Sequence, residues 1–412
     1  MHSVRTGGRS VAWLAVVGLV MGGLVVGAPG LGAERPKTGR LRFERVRLVN
    51  SWNEGCALGD VNRDGRLDVI AGPAWYEAPM WRERPLRHVG IGNDEFMENN
   101  GDHAMDLNGD GWVDVISASW LSDKICWYEN PGQEGLAEGR LWKEHVASEG
   151  FEDCEGTLLV DLDGDGVEEL LVNTWGEQAP LRGLRITPGK GGRPPAFKPF
   201  ELGRPGRGHG VAVGDINGDG RVDVVVPHGW FEAPEGDRFS QPWKFHGWHK
   251  YGHFSVPGVV TDVNGDGKND IIIGHAHNYG LYWLEQGPVR DGEITWTPHE
   301  IDKSISQMHV LVWADLDGDG RGELITGKRH RPHKDEDPGA GDPVCLVRYL
   351  WNASAGQFER DVISYDEGVG TGMQIRVADL DGDNKLDIAV AGKTGTYVLL
   401  NRGPAGSQPA GK

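Results

Sequence analysis

Seven times along its 412 residues the chain spells a nine-residue stretch with oxygen-bearing side chains at its first, third, fifth and ninth positions. The oxygens come from Asp60, Asn62, Asp64 and Asp68, from Asp106, Asn108, Asp110 and Asp114, and from Asp161, Asp163, Asp165 and Glu169. The later copies supply Asp215, Asn217, Asp219 and Asp223, then Asp262, Asn264, Asp266 and Asp270, then Asp315, Asp317, Asp319 and Glu323, and last Asp379, Asp381, Asp383 and Asp387. Carboxylate and amide oxygens at this spacing, with a backbone carbonyl at the seventh position, are the donor set of a hard cation such as Ca2+. Glycine at the sixth position permits the sharp turn; in the last copy Asn384 takes that place, and Asn tolerates left-handed geometry best among the alternatives. An EF-hand would need helical flanks and a Glu at position 12, whereas here the flanks are β-branched and position 12 is Ala71 or Ser117 in the first two copies. The expectation is a calcium hairpin between two strands in each copy, about seven structural Ca2+ in all, and a fold that depends on them.

The first positions of successive loops lie 46 to 64 residues apart, which marks a repeat architecture. In each unit one strand leads into the loop ("HGVAVGD") and a second leaves it ("VDVVVP"). A third follows ("WYEAP", "WFEAP", "LYWLEQG"), then an outer one of the type "LWKEHVAS" or "TWTPHEID". The loops resemble those of the FG-GAP/VCBS family of calcium-loop repeats, over about residues 41–405. That resemblance implies an all-β, seven-bladed β-propeller with a DxDxDGxxD loop in every blade. Only six outer strands follow the first loop, and "RFERVRLV" (42–49) resembles "QFERDVIS" (357–364). The N-terminal strand is therefore expected to complete the last blade and close the ring, making 34–405 one domain.

Composition narrows the setting. The formal charge is −19, with 64 Gly and 16 Trp. Much of the acidity is loop ligand, and the balance argues against a nucleic-acid partner. Residues 1–33 read as a signal segment: Arg5 and Arg9 precede an apolar stretch at 11–26 that is short for a membrane span, with a cleavage site ending at Ala33. The expectation is a secreted or periplasmic protein without a further transmembrane segment, ending in a disordered tail at 406–412. Cys56, Cys126, Cys154 and Cys345 have no CxxC spacing and read as buried thiols.

In a propeller the strand entering each loop is innermost, so its start lies at the channel mouth away from the loops. Six residues before the loops stand Glu54, Asn100, Glu155, His209, Val256, His309 and Met373. A mere packing layer would be apolar. Imidazole and carboxylate together suit Zn, Mn, Fe or Ni rather than Ca2+. The expected channel-metal ligands are His209, His309, Glu155 and His275, the last because His275 and His277 alternate by two at the end of a second strand. The expected catalytic groups are His103, His228, His277, Tyr279 and Arg329, positioned to move protons or hold an oxygen-rich ligand.

The stretches "RGHGVAVGDINGDGRVDVVVPHGWFEAP", "YGHFSVPGVVTDVNGDGKNDIIIGHAHNYGLYW" and "SQMHVLVWADLDGDGRGELITGKRHRPHKDEDPGAGDP" resemble the propeller domain of aldos-2-ulose dehydratase. The resemblance implies metal-dependent dehydration of a keto-sugar. That family also carries cupin domains; with residues 34–405 expected to form the propeller, only the dehydration half of the family's activity is expected here. The expected function is an exported, metal-dependent carbon–oxygen lyase acting on a keto-sugar or related carbohydrate. The alternatives are a non-enzymatic calcium propeller binding glycan or protein, and a purely structural envelope protein.

Overall fold

The computed structural model describes residues 40–405 apart from 93–95, 176–178, 205–207 and 249–250. The signal segment expected at 1–33 and the tail expected at 406–412 lie outside the described residues. Each repeat folds into a four-stranded antiparallel sheet whose strands follow chain order from the inside out. Blade 4 shows the pattern: Ala212–Gly214, Asp223–Val226, Gly229–Glu232 and Lys244–Gly247. The seventh sheet takes its outer strand from the other end of the chain. Leu41–Val49 pairs antiparallel with Gly395–Pro404, beside Asp387–Gly392 and Ile375–Ala378. Seven sheets arranged in this way make a seven-bladed propeller.

The core is distributed between blades. Strands alternating Val, Ile, Leu and aromatic residues are apolar on both faces, so each sheet must be covered twice. Seven apolar clusters do this, one at each blade junction. Between blades 3 and 4, Leu171 and Leu181 pack with Val224 and Phe231. Between blades 7 and 1, Ala389 and Val398 pack with Val69 and Tyr76. No described helix is long and apolar enough to cross a membrane. All four cysteines are free thiols.

The loops are built by their own carboxylates. In the fourth copy, Asp215 accepts the N–H groups of Gly218 and Asp219 on one oxygen (2.8 and 3.0 Å) and of Gly220 on the other (2.8 Å). The sixth position is left-handed throughout, with φ 82 at Gly220 and 64 at Asn384. The fourth position is left-handed as well, and there the first copy holds Arg63 at φ 60. The ninth side chain is buried and acts as a clasp. Asp223 accepts Ile216 N–H at 2.9 Å, closing the loop, and Ala233 N–H at 2.8 Å, tying the second strand to the end of the third. Asp68, Asp114, Asp270 and Asp387 repeat both contacts. A hard-oxygen donor set fits a Ca2+ ion. In three copies, carboxylate oxygens from at least three of the ligand positions lie within 4.8 Å of one another.

Candidate metal centre at the channel mouth

Four side chains, one from each of the four consecutive blades 3 to 6, converge at the face opposite the loops. Glu155 stands at the start of the blade 3 inner strand, Cys154–Val160. His209 and His309 immediately precede the inner strands of blades 4 and 6, Ala212–Gly214 and Val312–Ala314. The fourth member is His277, not His275. The blade 5 second strand, Asp270–Gly274, ends in a bridge between His275 and Phe254, and the chain then turns through 276–278. Strand alternation does not survive the turn. His275 therefore lies against Tyr282, with ring centres 5.0 Å apart, while His277 swings into the channel.

The three imidazoles form a nearly equilateral triangle. Centroids of His209 and His277 are 4.9 Å apart, and those of His209 and His309, and of His277 and His309, are both 5.0 Å apart, each pair close to perpendicular. One donor atom from each ring and one Glu155 oxygen fall within 4.8 Å of one another. His209 and His309 are fully buried.

Hydrogen bonding decides which ring nitrogen faces inward. His209 Nδ1 lies 2.6 Å from the Phe254 carbonyl, His309 Nδ1 3.2 Å from the Gln307 carbonyl, and His277 Nδ1 3.0 Å from Asp337 Oδ2. Carbonyls and carboxylates only accept, so each Nδ1 carries a hydrogen, and in its neutral form each ring turns a lone pair inward at Nε2. His209 Nε2 and His277 Nε2 are buried without a hydrogen-bond partner. His209 Nε2 is 3.2 Å from Glu155 Oε1, yet the two are not aligned as a hydrogen bond. Two lone-pair donors at that separation repel unless a proton or a cation lies between them. Imidazoles held through Nδ1 by carbonyl or carboxylate are the usual outer support of metal-ligating histidines, and a three-nitrogen, one-oxygen set suits a divalent first-row metal.

The electrostatics agree. Burial pushes the His309 imidazole well below its ordinary range, and Arg329 adds to this. Burial and His209 push His277 down to about 3. For Glu155 burial acts upward, but His209 and Arg329 outweigh it and hold the carboxyl at about 2. The site thus sets a carboxylate beside two imidazoles, His277 and His309, that are held neutral.

The remaining expected residues have other places. Arg329 is buried in a two-pronged ion pair with Glu54 (2.5 and 2.8 Å), with Nη1 3.3 Å from His309 Nε2. It backs the site and neutralises Glu54. His103 lies one strand layer deeper: its Nε2 meets the Thr157 hydroxyl at 2.8 Å and its Nδ1 is 3.4 Å from Arg376. Tyr279 donates to Asp342 at 2.5 Å. His228 sits in the tight turn between the second and third strands of blade 4, where Trp248 N–H bonds its carbonyl. None of Arg329, His103, Tyr279 and His228 belongs to the four-residue group.

Asp337, which holds His277 from behind, is not singled out in the sequence. It lies in the long blade 6 connection between Glu323–Gly327 and Cys345–Asn352. That connection leans onto blade 5, where Gln307 Nε2 donates to the Pro338 carbonyl and Ser306 Oγ to the Gly339 carbonyl. Asp337 also meets His333 Nδ1 at 3.1 Å, and His333 stacks on His277 at 4.7 Å. Trp175 stacks on His253 at 4.3 Å and meets His277 edge-on at 5.5 Å, with Trp120 behind it. The composition of "HKDED" gives no hint that its last Asp crosses to another blade. Asp337→Asn is expected to weaken metal binding at this site by about 10- to 100-fold, read by competition with a chromophoric chelator.

The FG-GAP-like repeat family matches residues 106–172 and 262–326. No curated protein matches the chain. Among solved structures, an Agrocybe aegerita lectin that recognises non-reducing terminal N-acetylglucosamine is 16% identical, with 88% of this chain and 86% of that chain covered and a TM-score of 0.44. A gluconolactonase-like protein is 13% identical, with 91% and 98% covered and a TM-score of 0.39.

Proposed function

For this propeller of FG-GAP-like repeats, we propose a metal-dependent carbon–oxygen lyase acting on a keto-sugar or related carbohydrate at the channel mouth. The observation that carries the reading is the convergence of three Nε2 atoms and Glu155 Oε1, each imidazole fixed from behind through Nδ1, with Nε2 of His209 and His277 unpartnered and that of His309 facing Arg329 at 3.3 Å. Glu155, His209, His277 and His309 would hold a divalent Zn, Mn, Fe or Ni ion. Such an ion supplies Lewis acidity toward a carbonyl oxygen.

The protein's own groups account for the rest. The edge of Trp175 lies against His277, so a sugar ring at the site has an aromatic neighbour. Dehydration requires removal of the proton beside the carbonyl and departure of the neighbouring hydroxyl, with the C–H electron pair forming the new double bond and the hydroxyl leaving as water. His277 is occupied at both nitrogens in this arrangement, so it is not the base. His333 is held by Asp337 through Nδ1 and stacks on His277, which leaves its Nε2 to take that proton and return it to the leaving oxygen. Arg329, locked on Glu54, holds the floor of the site in place. The similarity to aldos-2-ulose dehydratase supports the choice of substrate class and rests on sequence stretches alone.

The test is incubation of metal-loaded protein with 1,5-anhydrofructose or glucosone, following the unsaturated ketone by ultraviolet absorbance. Turnover that disappears in His209→Ala is expected. A loaded centre that turns over neither compound, but binds sugars only with its metal, would replace the lyase with a binding propeller.

A further inference from the structure

We propose that Arg185, Arg348 and Arg402 are built-in counter-charges that set the cation affinity of three of the seven loops. The inference rests on the reading of the loops as calcium sites. The loops are of two kinds. Four carry Asn at the third position (Asn62, Asn108, Asn217 and Asn264) and three carry Asp (Asp163, Asp317 and Asp381). The extra carboxylate never comes alone. Arg185 Nη2 is 3.1 Å from Asp163 Oδ2, Arg348 Nη1 is 3.3 Å from Asp317 Oδ2, and Arg402 Nη1 bonds Asp381 Oδ2. All three arginines stand on third strands, Leu181–Thr187, Cys345–Asn352 and Gly395–Pro404, and reach back to the loop of their own blade.

In the Asn loops the amide nitrogen does locally what the guanidinium does from outside. Asn62, Asn108 and Asn217 donate to the fifth-position carboxylate at 3.4, 3.1 and 2.8 Å, and Asn264 donates to Glu285. The third strands of these blades carry no arginine there. In blades 1, 2, 4 and 5 the place held by Arg185 in blade 3 is Glu77, Glu129, Glu232 and Glu285, as the pairing registers of the second and third strands show. Each of these glutamates has its own basic partner on the outer strand, Arg84, His145, His246 and His299.

The basic residue at the seventh position does not explain the pattern. Arg66, Arg221 and Lys268 pair with fifth-position carboxylates in Asn loops, and Lys385 does so in an Asp loop. Only the strand arginine tracks the fourth carboxylate. Where the ninth residue is Glu, the guanidinium also approaches that side chain: Arg185 Nε is 3.9 Å from Glu169 and Arg348 Nη1 is 3.7 Å from Glu323. Arg348 and Arg402 also hold an outer-strand carboxylate, Asp361 and Glu44, on the side away from the loop, but the group each turns to the fourth carboxylate is the guanidinium, so the loops present a more nearly similar charge to the cation whichever residue fills the third position. A positive charge fixed this close to a divalent cation's place opposes its binding.

The test uses the full chain, Ca2+ itself, and hydrogen exchange resolved by peptide across a titration of free calcium. Arg348→Met is expected to lower the calcium midpoint of the 312–326 peptide by about tenfold or more and leave the other loops unchanged. Asp317→Asn added to Arg348→Met is expected to bring that midpoint back within about threefold of wild type, because it recreates an Asn loop. Arg185, part-exposed where Arg348 is buried, gives a second variant, Arg185→Met, should Arg348→Met fail to fold. A midpoint that stays put, or moves to higher calcium, makes the arginines mere struts and overturns the proposal, as does a double variant that is not restored. Wild-type loops whose exchange ignores calcium would overturn the calcium reading beneath it.

Discussion

Replacing His309 with alanine is expected to reduce the transition-metal content of the purified protein from near one per chain to less than about a tenth of that, with the calcium-loaded fold intact. The expectation follows from the donor set. Four ligand atoms share the site, and loss of one leaves three, with Arg329 Nη1 then lacking the lone pair it faces at 3.3 Å. Removing a ligand costs far more affinity than altering its support, so the effect exceeds the 10- to 100-fold expected for Asp337→Asn. The fold is expected to persist because His309 stands at the channel mouth and not in the apolar packing between blades, at the cost of an emptied buried imidazole site. His275→Ala is the matching control and is expected to keep its metal, because that ring lies beside Tyr282. Elemental analysis and scanning calorimetry on the three proteins decide the matter. Metal retained by His309→Ala would place the ion elsewhere and dismantle the centre described above.

Withdrawing calcium is expected to lower the melting temperature by more than about 10 °C. A site held at a hundred times its Kd contributes about 2.7 kcal/mol, and there are about seven such loops. The same withdrawal sets a distinctive pH dependence. In the cation-free loops, burial pushes the clasp carboxyls of Asp68, Asp114, Glu169 and Asp223 up to about 7, despite the backbone N–H groups they accept. In the unfolded chain the same groups titrate near 4. Between about pH 4 and 7 the folded state therefore holds protons the unfolded chain has released. This contribution to stability is fully present at the acid end of the window and is lost as pH rises through 7. Protein stripped of calcium and desalted should melt higher at pH 5 than at pH 7.5, and the difference should vanish when calcium is restored. Equal melting with and without chelator at pH 7.5 would remove calcium from the account of this fold.

Much of the molecule was legible in the chain. The repeated loop fixes where each inner strand ends, and the segments around it fix the strand order, because a period-two apolar pattern between tight turns has few other ways to bury itself. Ring symmetry then carries residues at the same distance from their loops to the same height in the channel. That is why Glu155, His209 and His309, all six positions before a loop, stand at one level. His103, three positions before its loop, falls a layer deeper against Thr157 for the same reason.

Only the tertiary structure decided the rest. The choice between His275 and His277 depends on where one strand stops, and an alternation argument ends with the strand. Asp337 reaches His277 because a long connection in blade 6 bends toward blade 5, and spacing along the chain does not say which neighbour a connection leans on. The arginine beside each fourth carboxylate comes from three different places on the third strand, so no fixed sequence offset reveals it. Sequence periodicity determines what repeats around the ring. The unrepeated turns and connections determine which side chains finally meet, because their path is set by packing against neighbouring blades.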